Sequence, residues 1–169
     1  MTITQRATKV LAAGSWSDAA DYVALDYEGR FLRRKRLVAA SGADFLVDLP
    51  EVVNLTGGEA FALEDGRRIE VRCGLEPVLV ITGDLTRLAW HIGNRHTPCQ
   101  IEAGRLVIRD DHVLEAMLKG LGAKVEKHME PFRPESGAYG TGRTMGHDHG
   151  GHDHGHSHAH GHGGFHVHS

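Results

Sequence analysis

The chain has 169 residues, with 19 basic and 22 acidic side chains and a formal charge of −3, a near-balance that argues against a nucleic-acid binder. Its hydrophobic content of 40% is enough for a core and excludes a wholly disordered chain. No run approaches about 18 consecutive apolar residues, so no membrane span is expected, and the opening MTITQRATKV lacks the layout of a signal peptide. The expected location is therefore cytoplasmic, with Cys73 and Cys99 as free thiols.

Residues 1–73 read as a small all-β N-terminal domain. Apolar and polar residues alternate through Asp21–Tyr27, Phe45–Leu49, Ala60–Leu63 and Arg68–Val71. Turn signals at Glu28-Gly29, Ser41-Gly42, Thr56-Gly57-Gly58 and Asp65-Gly66 separate them. Short strands at this spacing predict a sandwich or barrel. The run Arg33-Arg34-Lys35-Arg36 fits a solvated edge strand, which basic residues protect from mispairing. It also fits a docking patch for an acidic partner.

Residues 74–136 change character, and the class of the whole body becomes α+β. Pro77-Val78-Leu79-Val80-Ile81 is a continuous apolar run that suits a buried strand. Asp84 is an N-cap, and Leu85, Leu88, Ala89 and Ile92 follow at helical spacing. Gly93 is expected to stop that helix. Cys99–Glu102 and Arg105–Ile108 read as strands joined at Ala103-Gly104. Asp110 or Asp111 caps a second helix whose apolar face is Val113, Leu114, Met117, Leu118 and Leu121, ended by Gly120 and Gly122. Lys124–Met129 is a last strand, punctuated by Pro131 and Pro134. The order βαββαβ is the ferredoxin-like arrangement, with both helices on one sheet face.

Residues 137–169 are a Gly/His-rich tail, low in apolar content and expected to be disordered without a ligand. Of 14 histidines, ten stand here: His147, His149, His152, His154, His156, His158, His160, His162, His166 and His168. Alternate imidazoles on an extended chain can bend onto one ion, and Asp148 and Asp153 offer oxygen ligands. Neutral imidazole suits Ni, Cu, Zn and Co, so the pattern predicts metal binding without naming the metal. A purification tag is usually uninterrupted histidine; this segment alternates with Gly, Ser, Ala and Asp.

The second constellation is Gly93-Asn94-Arg95-His96-Thr97-Pro98. It puts His96 just past a helix end, on a short loop before a strand, where an imidazole can face a ligand. Taken alone, a lone surface histidine is seldom a ligand. Gly93-Asn94-Arg95-His96 followed by Pro98 and Gln100, however, resembles the signature of the UreE family, nickel metallochaperones of urease assembly. The order of a β-domain, a ferredoxin-like domain and a His-rich tail agrees along essentially the whole chain. Asp111-His112-Val113-Leu114 with Met117-Leu118 resembles the start of the family's second C-terminal helix.

The resemblance implies a homodimer joined through the ferredoxin-like domains. His96 of each protomer then gives one imidazole to a shared Ni(II), since an isologous interface brings identical residues together. Tail histidines, or His112, fill the open positions, and Zn(II), Cu(II) or Co(II) could use the same histidines. The partners implied are an accessory GTPase and the accessory complex of the urease apoprotein. One departure stands out: some members carry a second histidine two residues before the position of His112, where this chain has Asp110. His91 and His128 read as structural or exposed, and Cys73 and Cys99 as strand residues. No catalytic or nucleotide-binding residue is expected, because neither a phosphate-binding GxxxxGK[ST] loop nor an HExxH helix occurs. The rival readings are a His-tailed prolyl isomerase and a passive divalent-metal store.

Overall fold

The computed structural model describes residues 4–137. Six strands come first: β1 (Gln5–Leu11), β2 (Asp21–Leu25), β3 (Phe31–Val38), β4 (Asp44–Asn54), β5 (Ala60–Leu63) and β6 (Arg68–Cys73). They form one sheet in the order β2-β6-β5-β1-β4-β3. β1 runs parallel to β4 and β2 parallel to β6, while β1–β5, β3–β4 and β5–β6 are antiparallel. The inward residues form a single core that includes Ala7, Val23, Phe45, Val47, Phe61 and Val71. Phe45 and Phe61 pack with ring centroids 5.8 Å apart.

The basic run lies on β3, an edge strand of this sheet. Its side chains are engaged locally. Arg36 pairs with Asp44 at 2.5 Å. Arg34 lies 3.9 Å from Asp48, which also pairs with Arg6. The β3–β4 register shifts between Leu32 and Arg34, opposite Val53 and Asp48, so the Leu49–Val52 stretch of β4 bulges away from its partner. Pro50, which has no N–H to give a ladder, sits in that stretch. The Leu49 carbonyl accepts from Arg33 Nε at 3.1 Å.

The second unit is β7 (Leu75–Thr82), α1 (Leu85–Asn94), β8 (Gln100–Ile101), β9 (Leu106–Arg109), α2 (His112–Gly120) and β10 (Lys124–Pro131). Its antiparallel sheet has the order β10-β7-β9-β8, the expected βαββαβ pattern. Leu79, Ile81, Leu106 and Ile108 meet Leu88 and Ile92 of α1 and Leu114 and Leu118 of α2 on one sheet face. Each such side chain contributes roughly 1.5–3 kcal/mol by leaving water. Val113 and Leu121, expected on that packed face, are instead 54% and 39% exposed.

The other face of the same sheet is covered too. Val78, Val80 and Val107 pack against Tyr27 from the N-terminal unit and Phe132 from the chain after β10. Burial on both faces is why residues 78–81 read as an unbroken apolar run. Polar groups tie this junction. Buried Arg30 donates to the carbonyls of Leu55 (3.1 Å), Leu25 (3.0 Å) and Phe132. The Tyr27 N–H donates to the buried Glu76 carboxylate at 2.8 Å. Arg109 lies 4.7 Å from the Tyr27 ring centroid and pairs with Glu28 at 2.6 Å.

Candidate metal centre

The position of His96 follows from how α1 ends. The helix starts at Asp84, whose carboxylate accepts the Arg87 N–H at 3.3 Å. It buries Leu88 and Ile92 and then runs through Gly93 to Asn94, so Gly93 does not stop it. The stop comes later. The His96 N–H donates to the Gly93 carbonyl at 2.9 Å and the Thr97 N–H to the Ile92 carbonyl at 3.4 Å. These two bonds are a Schellman closure, which requires a left-handed residue between them. That residue is His96, at φ 56°.

α2 closes in the same way. The Gly122 N–H donates to Lys119 and the Ala123 N–H to Leu118, each at 3.0 Å. There the left-handed residue is Gly122, at φ 86°. Glycine is the usual choice because it has no β-carbon to clash. A residue with a side chain costs roughly 1–2 kcal/mol in this conformation, although histidine is among those found there more often. The chain thus carries an imidazole where its own second helix uses glycine.

His96 is exposed and borders two cavities. One, of about 320 Å³, lies between the two units; Tyr27, Thr56, Pro98, Cys99, Arg133 and Glu135 are among its walls. The other, of about 670 Å³, is acidic, with Asp26, Glu28, Glu76, Asp110 and Asp111 around Arg109. Burial raises the Glu76 carboxyl above the ordinary range, helped by the nearby Asp26 charge and opposed by the Tyr27 N–H, Arg30 and Arg109.

The other expected ligands are placed as follows. His112 opens α2 and is exposed. Its neighbour Asp111 is the N-cap, accepting the N–H groups of Val113 (2.9 Å) and Leu114 (3.0 Å). Asp110 lies 3.7 Å from Lys127 Nζ. Among the described residues no group of three or more His, Cys, Asp or Glu side chains converges to hold a metal. His147, His149, His152, His154, His156, His158, His160, His162, His166 and His168 lie outside the described residues.

The remaining histidines and cysteines have local partners. His91 meets Trp90 edge-on, with centroids 5.0 Å apart. His128 lies between Glu126 (3.2 Å) and Glu130 (3.3 Å). Both cysteines are free thiols. Cys73 Sγ lies 3.3 Å from the Thr56 carbonyl. Cys99 packs against the helix-covered core, and burial pushes its thiol up to about 11.

The sequence reading missed the segment that follows β10. Phe132 is fully buried, edge-on to Tyr27 at 5.5 Å. Beyond it the Arg133 N–H donates to Gln100 Oε1 and the Glu135 N–H to the Cys99 carbonyl, each at 2.8 Å. An aromatic residue between Pro131 and Pro134 was the available signal.

Comparison with known proteins bears on the whole chain. Residues 3–74 match the family model for the N-terminal domain of the UreE urease accessory protein, and residues 76–162 match the model for its C-terminal domain. The chain is 82% identical over 150 residues to the urease accessory protein UreE of Rhodobacter capsulatus, spanning 89% of this chain and 96% of that one. It is 60% identical over 151 residues to the same-named protein of Cereibacter sphaeroides, spanning 89% and 83%. With that of Paracoccus denitrificans the identity is 67% over 122 residues, spanning 72% and 79%.

Proposed function

Because the chain belongs to the UreE urease accessory family, and so is an accessory protein of urease maturation rather than an enzyme, we propose that it captures Ni(II) and hands it on for assembly of the urease metallocentre. The observation that carries this reading is the left-handed imidazole of His96. Folding favours glycine at that position, so the histidine serves something other than the fold. Its backbone is held by the two closing hydrogen bonds of α1, which fixes the direction from which the ring leaves the surface.

One imidazole does not hold an ion, and the described part of a protomer offers no convergent set around it. The missing donors come from a second protomer and from the tail. In this reading the chain is a cytoplasmic homodimer, with His96 of each protomer on one Ni(II). Histidines from His147 to His168 complete the coordination, and His112 or Asp110 is an auxiliary ligand. Zn(II), Cu(II) and Co(II) compete for the same imidazoles. The division of labour follows 1–73, 74–136 and 137–169: a β-rich unit, a metal-binding and dimerising unit, and a capture tail.

The chemistry is transfer. Tail imidazoles occupy exchangeable positions, and a partner replaces them one at a time while the two His96 rings keep hold. Tethering supplies the tail ligands at an effective concentration near millimolar. The recipient is the accessory GTPase together with the accessory complex of the urease apoprotein. Calorimetric titration with Ni(II) tests the site: His96→Ala removes the tightest binding event, and unchanged tight binding refutes the reading. Pull-down with urease accessory proteins separates delivery from passive storage, because a store needs no such partner.

A further inference from the structure

We propose that Gln100 is a positioning residue that anchors the root of the tail beside His96, so that histidines of the same chain are delivered to that site. The inference rests on the nickel reading above and adds how the tail finds its target. β8 is an edge strand of only two residues, Gln100–Ile101. The chain after β10 returns to it: the Arg133 N–H meets Gln100 Oε1 and the Glu135 N–H meets the Cys99 carbonyl, each at 2.8 Å. Gln100 is itself held, because its Nε2 donates to Glu102 at 2.9 Å, and Glu102 is braced by Arg105 at 2.9 Å. Arg105 in turn makes a two-pronged pair with Glu130 of β10, at 2.9 and 2.8 Å. Upstream, buried Phe132 and the Arg30 bond to its carbonyl fix the entry of this strap.

The strap is thereby laid along the loop that carries His96. Residues 133–137 line the same cavity as His96, Thr97 and Pro98. Gly137, the last described residue, therefore lies on the cavity that His96 borders. His147 stands ten residues beyond Gly137 and fifteen beyond Phe132. Freeing the strap moves the anchorage back to Phe132. Effective concentration falls roughly as the −3/2 power of tether length, so lengthening the tether to His147 from ten residues to fifteen costs about twofold, and less for the histidines farther along.

The test uses the full-length chain, with Ni(II) as the probe against a competing chelator. Gln100→Leu removes the acceptor for the Arg133 N–H. Glu135→Pro removes the second donor without touching the 97–100 loop, so the question survives if the first variant folds poorly. Each is made with the native tail and with its ten histidines replaced by serine. Each variant, and most fully the two combined, is expected to raise the apparent Kd of the first Ni(II) by up to about twofold with the native tail, and to change nothing with the serine tail. A purely structural role for Gln100 would weaken binding equally on both backgrounds, and that result, or no effect with the native tail, overturns the proposal. His96→Ala keeps the two readings apart. If it abolishes tight binding while Gln100→Leu and Glu135→Pro do nothing, the anchoring inference fails and the nickel site stands.

Discussion

At position 96 the backbone favours glycine and the proposed nickel role needs an imidazole, and substitution separates the two. His96→Gly relieves the left-handed β-carbon and is expected to raise stability by about 1 kcal/mol or leave it level. His96→Ala keeps the β-carbon and is expected to match the wild type. Both should lose the tightest nickel site. Urea unfolding beside Ni(II) titration reads the two effects, and a glycine variant clearly less stable than the alanine variant would contradict the backbone argument. Glu76 provides a second test, this one in pH. Its folded-state carboxyl is raised, so the folded chain takes up that proton more readily than the unfolded chain. Its contribution to stability is thus full at low pH and lost as pH rises through the raised value. Glu76→Gln keeps an oxygen for the Tyr27 N–H and is expected to be at least as stable at about pH 7, with any advantage gone by about pH 4. Urea midpoints at the two pH values check it, and a variant weaker at both would refute it. The residues Gly93-Asn94-Arg95-His96 were legible in sequence, but the role of each was not. Gly93 looked like the helix stop because glycine usually is, whereas its carbonyl accepts one of the closing bonds and His96 takes the unusual dihedral.

The elements differ in how openly their sequences announce them. Both helices were readable from spacing and from their Asp caps. The βαββαβ order followed, because β7 carries an apolar run buried on both faces. β1 was missed altogether although it lies inside its sheet between β5 and β4. Its pairing with β5 shifts between Ala7 and Lys9, so Thr8 and Lys9 are both exposed and the period of two breaks. β3 was seen only as a basic run, because most of its side chains face solvent. The matching ends of the two helices yield an element-scale prediction. Gly122→Ala meets no atom within 4 Å of the new β-carbon, so its cost is that of the backbone alone. It should destabilise the fold by about 1 kcal/mol while leaving nickel binding unchanged. Thermal unfolding and titration together would expose a different outcome, and an α2 end that mattered for nickel would show itself here.

Across the whole molecule, the proposed function gives the body and the tail different tasks. The two sheets share the Tyr27, Val78, Val80, Val107 and Phe132 cluster, and Arg30 reaches from one to the carbonyl of Phe132 in the other. The contacts that build that junction are made among the described residues. Replacing the ten histidines from His147 to His168 is expected to lower the number of Ni(II) ions bound per chain without changing the unfolding transition. In cells, urease activation should persist at ample nickel and weaken when nickel is scarce, whereas His96→Ala should impair it throughout. Urease activity across a nickel series measures both. Full loss at every nickel level from the tail change, with none from His96→Ala, would reverse the assignment. The histidine-rich composition of the tail, on which the proposed metal capture rests, was plain in the sequence. Its anchorage was not, because the bonds from residues 133 and 135 to the 99–100 edge join segments far apart in sequence.

The strand order also has a consequence for the time course of synthesis. Leu75 at one end of β7 is paired with Pro131 at the end of β10. The second sheet therefore stays open until the ribosome has added residue 131, and non-local pairings of this kind close slowly. The chain is made from its N-terminus, and units fold in that order. Every histidine from His147 onward is polymerised after the last strand. The nascent protein thus completes the sequence of its second sheet before its histidine-rich segment is made, which limits the time in which an ion held by those histidines, if they bind one, could cross-link an unfolded chain.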